Sequence, residues 1–201
     1  NYKFGIKKRD QVLLPMLFDR KTYPSVSDNN SFAIGIGNNY GLYNVEKEVW
    51  EIPMMYYSLN HLGNDIFSAR TKNGLYGVVS RDNKVLIPFK WSEISTVSGV
   101  ENYFILQDKK SNLKGLYSLL NGKFLIPCEY EYIQTVDNSN YFKVNNEKGY
   151  NLVSIDNKPK FKKWYTQINS VSNSKNFIVK LNDRMGIIDE NENIILPIEY
   201  K

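Results

Sequence analysis

His61 and Cys128 are the only histidine and the only cysteine in the chain. A catalytic histidine works beside an orienting carboxylate and a nucleophile. His61 sits in Asn60-His61-Leu62-Gly63, which reads as a loop between sheet elements, and no pattern brings such partners to it. Cys128 closes the apolar run Phe124-Leu125-Ile126-Pro127-Cys128 and reads as a small buried side chain. One cysteine makes no internal disulfide, and with one histidine it makes no zinc set. Ile34-Gly35-Ile36-Gly37 has Gly-x-Gly spacing, but Asn38-Asn39-Tyr40-Gly41 follows it where a dinucleotide loop needs a helix N-terminus. A bulge or tight strand bend explains those glycines better. Asp189, Glu190 and Glu192 fall at a turn without the alternating ligands of a calcium loop. Glu129 and Glu131 merely flank Tyr130, and no serine occupies a Gly-x-Ser-x-Gly elbow. We therefore expect no catalytic residues, no metal and no cofactor.

The aromatic residues carry more potential. There are 15 Tyr, 10 Phe and 3 Trp, enough to serve both a core and a binding surface. Tyr43 and Tyr117 lie in equivalent Gly-Leu-Tyr contexts, and on a strand Leu42 and Tyr43 point to opposite faces. An exposed row of such tyrosines would bind a protein, or stack on sugar rings. Burial of both faces between neighbouring elements is the competing expectation.

The elements that hold these residues follow from an internal repeat. Gly5, Gly41, Gly77, Gly115, Gly149 and Gly186 lie 36, 36, 38, 34 and 37 residues apart. A short apolar stretch follows most of them, as in Gly77-Val78-Val79 and Gly115-Leu116-Tyr117. Turn residues come next: Arg9-Asp10, Asp82-Asn83, Asn121-Gly122, Asp156-Asn157 or Glu190-Asn191. Asn-Gly favours the type I′ hairpin turn, with two positive φ angles. A second apolar run then ends in proline, as in Val85-Leu86-Ile87-Pro88 and Ile194-Ile195-Leu196-Pro197; the fifth copy departs, with Lys158-Pro159-Lys160-Phe161. Proline belongs at a strand end or edge because it donates no ladder hydrogen bond. Three residues beyond it, or beyond Phe161 in the fifth copy, stands an aromatic: Phe18, Tyr56, Trp91, Tyr130, Trp164 and Tyr200. We expect each to plug the gap between neighbouring repeats. Another strand precedes each glycine, with Phe at one position and a small or aliphatic residue two further on, as in Phe67-Ser68-Ala69 and Phe177-Ile178-Val179. Polar stretches such as Ser25 to Ser31 and Ser170 to Lys175 fall between units.

The 201 residues include 42% apolar and 23% charged residues, a globular balance that excludes a disordered or collagen-like chain. The net charge of +5 is spread over short clusters such as Lys7-Lys8-Arg9, Lys109-Lys110 and Lys160 with Lys162-Lys163. A nucleic-acid domain concentrates its basic residues on one stripe, so nucleic acid is not an expected partner. No apolar run approaches the ~20 residues of a membrane span, and no signal peptide is visible. Opening at Asn1 without a methionine suggests a mature form or an excised fragment. Abundant Asn, Lys, Ile and Tyr, with alanine only at Ala33 and Ala69, suggests an AT-rich bacterial genome. The compartment is open, with the bacterial periplasm or cell surface favoured over the cytoplasm.

The repeat resembles the WG-repeat family. That motif has an aromatic-Gly pair, usually Trp-Gly, two apolar residues, a Gly-containing turn, and an Ile-Pro run with a Tyr beyond it. Phe4-Gly5, Tyr40-Gly41 and Tyr76-Gly77 fit with a substituted aromatic, while Lys114, Lys148 and Met185 depart at that position. The resemblance covers nearly the whole chain. It implies a β-rich, noncatalytic interaction module, with no family catalytic residues to carry over. We expect one all-β domain over residues 1–201, built of small antiparallel sheets of three to four strands. They stack as a curved array or, alternatively, a closed propeller-like toroid. The expected function is a scaffold that binds another protein, as a subunit of a larger assembly, with a carbohydrate-binding module as the alternative and an enzyme as the weaker one.

Overall fold

The computed structural model describes residues 4–8, 10–18, 30–97, 100–136, 139–172 and 174–201. Arg9 and residues 25–29 lie outside the described residues, and with them part of the expected first turn and of the first polar loop. The described residues are all-β, with nineteen strands in several small antiparallel sheets and no helix. Among the described residues no helix is long and apolar enough to cross a membrane. The chain folds as two compact units, residues 1–94 and 95–201.

In the first unit, β1 (Phe4–Lys8) and β2 (Gln11–Phe18) form a hairpin, and β3 (Ser31–Ile36), β4 (Asn39–Asn44) and β5 (Val49–Tyr56) form a three-stranded meander. Next come β6 (Ser58–Gly63), β7 (Ile66–Arg70), β8 (Tyr76–Ser80) and β9 (Val85–Val97), in which Val85 to Trp91 pair with β8. Strand β9 is thirteen residues long and runs six residues beyond Trp91, where its pairing with β8 ends. The second unit holds β10 (Val100–Asp108), β11 (Lys114–Ser118) and β12 (Lys123–Tyr130); then β13 (Tyr132–Thr135), β14 (Tyr141–Asn146) and β15 (Gly149–Ser154); then the four-stranded β16 (Gln167–Ser170), β17 (Phe177–Leu181), β18 (Arg184–Ile188) and β19 (Ile194–Tyr200).

One irregularity explains the spaced glycines. Lys114 faces Tyr130 and Leu116 faces Ile126, so two residues on β11 span four on β12. The surplus is a bulge, and it lies directly over Gly115. A Cβ there would stand 2.7 Å from the Ile126 carbonyl oxygen and 2.8 Å from the Cys128 nitrogen. The two-against-four register recurs from Phe4 and Ile6, Tyr40 and Leu42, Tyr76 and Val78, and Met185 and Ile187. At Gly41, Gly77 and Gly186 the added Cβ would meet the carbonyl oxygens of Ile52, Ile87 and Leu196 at 2.7–2.8 Å.

The fifth repeat corrects the sequence alignment. Its signature position is Asn151, not Gly149: Tyr150 faces Tyr165, and Val153 faces Pro159. Those partners preserve the larger register of the other copies, where Lys114 to Tyr117 span Tyr130 to Phe124. The Asn151 side chain is fully buried and stands in for the ladder. Its amide nitrogen donates to the carbonyls of Phe161 (2.9 Å) and Lys163 (3.1 Å), and its oxygen accepts from the N–H groups of Leu152 (2.7 Å) and Phe161 (3.2 Å). The outer segment therefore lacks a regular strand, and isolated bridges hold it at either end. Gly149 has a separate task, with φ at +112° and the Tyr165 carbonyl oxygen 2.5 Å from its missing Cβ. The plug of this repeat is accordingly Tyr165, which is fully buried, while Trp164 beside it is half-buried.

The hairpin turns also differ from the two-residue form expected. Asn83, Asn157 and Glu192 have φ near +60°, whereas Asp82, Asp156 and Asn191 do not have positive φ. The N–H of each donates to the carbonyl three residues back, at Ser80, Ser154 and Asp189. This is a turn finished by one left-handed residue. Strands β6, β13 and β16 are further additions, each burying one aliphatic residue three places past a plug: Leu59, Ile133 and Ile168.

Candidate functional site

The faces of each sheet follow from period-two alternation. Three cores lie within the units. One joins Ala33, Leu42, Ile52 and Tyr56 of one repeat to Leu59, Phe67, Ala69 and Val79 of the next. Another joins Leu116, Ile126 and Tyr130 to Ile133, Phe142 and Val153. A third joins Leu152, Phe161 and Tyr165 to Ile168, Phe177 and Ile188. Each repeat thus presents the residue after its signature position, the aliphatic or Phe of its outer segment and its plug to the repeat that follows. The follower answers with its phenylalanine and with the residue two past its own signature position.

A hydrogen bond completes each of these contacts. The hydroxyl of Tyr56 donates to Asn83 Oδ1 (2.8 Å), that of Tyr130 to Asn157 Oδ1 (2.9 Å) and that of Tyr165 to Glu192 Oε1 (3.0 Å). The acceptor is the left-handed turn residue of the following repeat each time, because that backbone aims its side chain back at the plug. Glu192 also accepts from the N–H groups of Lys162 (2.8 Å) and Lys163 (3.0 Å). Burial, followed by the Glu129 charge, pushes the Tyr130 phenol up to about 12; burial and the Glu192 carboxylate push Tyr165 up as well. The unfolded phenol ionises near 10, so between that pH and 12 the unfolded chain binds fewer protons than the native one. Stability contributed by these hydroxyls is complete below pH 10 and is lost as pH rises further. Urea midpoints should fall above that pH, and Tyr130→Phe should flatten the fall while costing about 1 kcal/mol at neutral pH.

The sixth repeat shows the same outward face uncovered. Ile178 faces Ile187 and Ile187 faces Leu196 across β17, β18 and β19, while Met185 faces Tyr200. These residues form one contiguous apolar row. Leu196 is 37% exposed where its counterpart Ile126 is 0%, and Tyr200 is 48% exposed where Tyr130 is 3%. Ile178 and Met185 are exposed as well. Phe18, Tyr56, Trp91 and Tyr130 are all buried; Tyr200 alone of the plug residues lies open.

Tyr43 and Tyr117 lie elsewhere. Each is half-buried and packed edge-on against its cross-strand partner, Tyr43 on Trp50 (ring centroids 5.1 Å apart) and Tyr117 on Phe124 (5.2 Å). His61 lies on strand β6 rather than in a loop, tilted over Phe67. Burial holds its imidazole below the usual value against the pull of Asp65. A polar cluster in the first unit is structural: Arg81 donates to Glu51 Oε2 (2.7 Å) and to Ser31 Oγ (2.6 Å), and Asn44 donates to Glu51 Oε1 (3.0 Å). Burial raises the Glu51 carboxyl, but its hydrogen bonds to Arg81, Ser31 and Asn44 together bring it below its ordinary value. A cleft of about 750 Å³ lies in the second unit, lined in part by Tyr141, Lys160, Ser170, Ser174, Lys175 and Glu190. Lys160 sits over the Tyr141 ring at 4.4 Å and Lys175 pairs with Glu190 at 3.1 Å. His61 does not line this cleft. Among the described residues no cluster of His, Cys, Asp and Glu could hold a metal ion.

The family model for the WG containing repeat matches residues 76–110 and 115–150. Over those two stretches the chain is similar to the WG containing repeat. The matched WG repeats begin at Tyr76-Gly77 and at Gly115, both beneath a bulge, and the second ends one residue before Asn151. No curated protein matches the sequence. Among solved structures, KlHsv2 with loop 6CD replaced by a Gly-Ser linker aligns at 7% identity and a TM-score of 0.43, over 84% of this chain and 62% of that one. The N-terminal domain of Nup159 aligns at 10% identity and a TM-score of 0.42, over 84% and 59%. The chain thus spans about three fifths of each of those chains.

Proposed function

We propose that this chain is a noncatalytic scaffold that binds another protein, and that the outward face of its sixth repeat is a binding surface. The observation that carries this reading is the contiguous row Ile178, Ile187 and Leu196, flanked by Met185 and Tyr200, on a sheet face that internal repeats bury. Grouped apolar side chains on a rigid sheet suit protein recognition, with an aromatic anchor at the edge. Sugar binding has less support, since Tyr43 and Tyr117 meet their neighbours edge-on. Catalysis has less again: the lone histidine rests on Phe67, and the cleft in the second unit pairs its Glu190 with Lys175.

Leu196→Asp tests the reading. Wild type and variant serve as bait in extracts of the native cell, with co-purifying chains identified by mass spectrometry and a polysaccharide array run in parallel. A chain retained by wild type and lost with the variant is the expected result. Equal retention by both baits, or retention by polysaccharide alone, overturns it. Leu196 is already exposed, so the variant should fold, and its melting temperature checks that it does.

A further inference from the structure

The sequence holds two Asn-Gly pairs, Asn73-Gly74 and Asn121-Gly122. This dipeptide rearranges without an enzyme. The peptide nitrogen after the asparagine loses its proton to a base in solvent and attacks the side-chain amide carbon. A C–N bond forms, ammonia leaves, and a five-membered succinimide results. Water then opens that ring at either carbonyl and leaves aspartate or isoaspartate. Glycine eases the attack because no Cβ crowds the nitrogen and the backbone turns freely. The fold treats the two pairs differently, although both asparagines are exposed turn residues. The Gly74 N–H donates to the Thr71 carbonyl at 2.9 Å, and the Thr71 N–H donates to the Leu75 carbonyl at 2.9 Å, so the first turn is closed with its attacking nitrogen engaged. The Gly122 N–H lies between β11 and β12, outside their ladder, and has no hydrogen-bond partner among the described residues. Nothing stands within 4 Å of the Cβ position at Gly122. Asn121 is held through its main chain, whose N–H donates to Ser118 Oγ at 3.2 Å, and its side-chain amide is left to turn toward Gly122.

From this contrast we infer that Asn121 is a site of spontaneous deamidation in the native protein, and that the fold protects Asn73. An N–H must leave its hydrogen bond before it loses its proton, which slows Asn73 by about fivefold against Asn121 for a bond of ordinary strength. The product at Asn121 carries a carboxylate in place of an amide, so it takes one unit from the net charge of +5. Isoaspartate also routes the main chain through one more carbon. That carbon falls between Ser118 and Lys123, which face each other at the end of the β11–β12 ladder. The change therefore enters the hairpin that joins the strand of Gly115 to the bulged strand over it.

Trypsin puts the two pairs in separate peptides, Asn73–Arg81 and Gly115–Lys123, so one digest follows both. The full chain is held in mildly alkaline buffer, and samples drawn over time are read by mass spectrometry for conversion of amide to acid, with isoaspartyl peptides separated by their elution. In the folded protein Asn121 should convert about fivefold faster than Asn73. In urea, where neither turn persists, the two rates should converge. Gly122→Ala places a Cβ beside the attacking nitrogen; it should slow conversion at Asn121 in the folded protein and leave the rate at Asn73 unchanged, with its urea midpoint showing that it is folded. Equal rates in the folded protein, a faster Asn73, or no conversion at Asn121 overturns the inference. So does a ratio in urea as large as in the folded protein, because neighbouring residues and not the turns would then set the difference. An undiminished rate at Asn121 in Gly122→Ala overturns it as well, since the Gly122 nitrogen would not be the attacking atom.

Discussion

Gly115→Val should destabilise the protein by about 3 kcal/mol or more and lower its unfolding midpoint accordingly. The atoms in the way are backbone: the Ile126 carbonyl oxygen at 2.7 Å, the Cys128 nitrogen at 2.8 Å and the Pro127 carbonyl carbon at 2.9 Å from the added Cβ. A flexible side chain would swing aside. These atoms belong to the bulge of β12 and move only if β12 leaves β11. That separation would also lift Ile126 and Tyr130 out of the core they share with Phe142 and Val153. Gly122→Ala is the control. It has φ at +63° with nothing within 4 Å, so only backbone strain opposes it, about 1 kcal/mol. Equal losses from the two variants in urea unfolding would show that the bulge does not rest on Gly115.

Asn151→Asp should cost about 3–5 kcal/mol at neutral pH. The wild-type amide nitrogen donates to two carbonyls, at Phe161 and Lys163. An aspartate loses both donors and sets a buried negative charge against the same two oxygens. Burial raises the pKa of the new carboxyl in the native state, so the variant should regain part of its stability as pH falls below neutrality, where the native carboxyl takes a proton before the unfolded one does. Asn151→Gly should cost less, because it restores the residue that the other repeats use. The measurement is a urea midpoint for each variant between pH 4 and 8. An aspartate variant as stable as wild type throughout would mean that the side-chain bridge does not hold the outer segment.

The contrast between these two residues shows which parts of the fold can be read in sequence. Five of the six signature positions announce themselves as glycines, and at Gly41, Gly77, Gly115 and Gly186 close backbone approach admits nothing larger, a demand that repeats with the period. The fifth repeat meets the demand differently: an asparagine enters the ladder and supplies the hydrogen bonds itself. Periodicity cannot reveal that exchange, and Gly149, two residues early, captures the alignment because a turn needs it there. Trp164 instead of Tyr165 is the same displacement carried to the plug. Strands β13 and β16 escaped because four residues with a single buried aliphatic carry too little alternation. The left-handed acceptors at Asn83, Asn157 and Glu192 look like ordinary turn residues until the hydroxyl they receive is seen. The open face was hidden for another reason: Leu196 and Tyr200 have the same residue types as their buried counterparts, and only the presence of a neighbour separates them.

Each core is divided between one repeat and its successor, with the shared contact running from a plug to the next turn. No natural seam therefore marks where a copy begins. A gene that gains or loses one whole period, cut at any phase, regenerates complete contacts on both sides of the join, whereas a fractional insertion strands half a core. Growth and contraction of such genes by unequal recombination is thus permissive as to breakpoint and strict as to length.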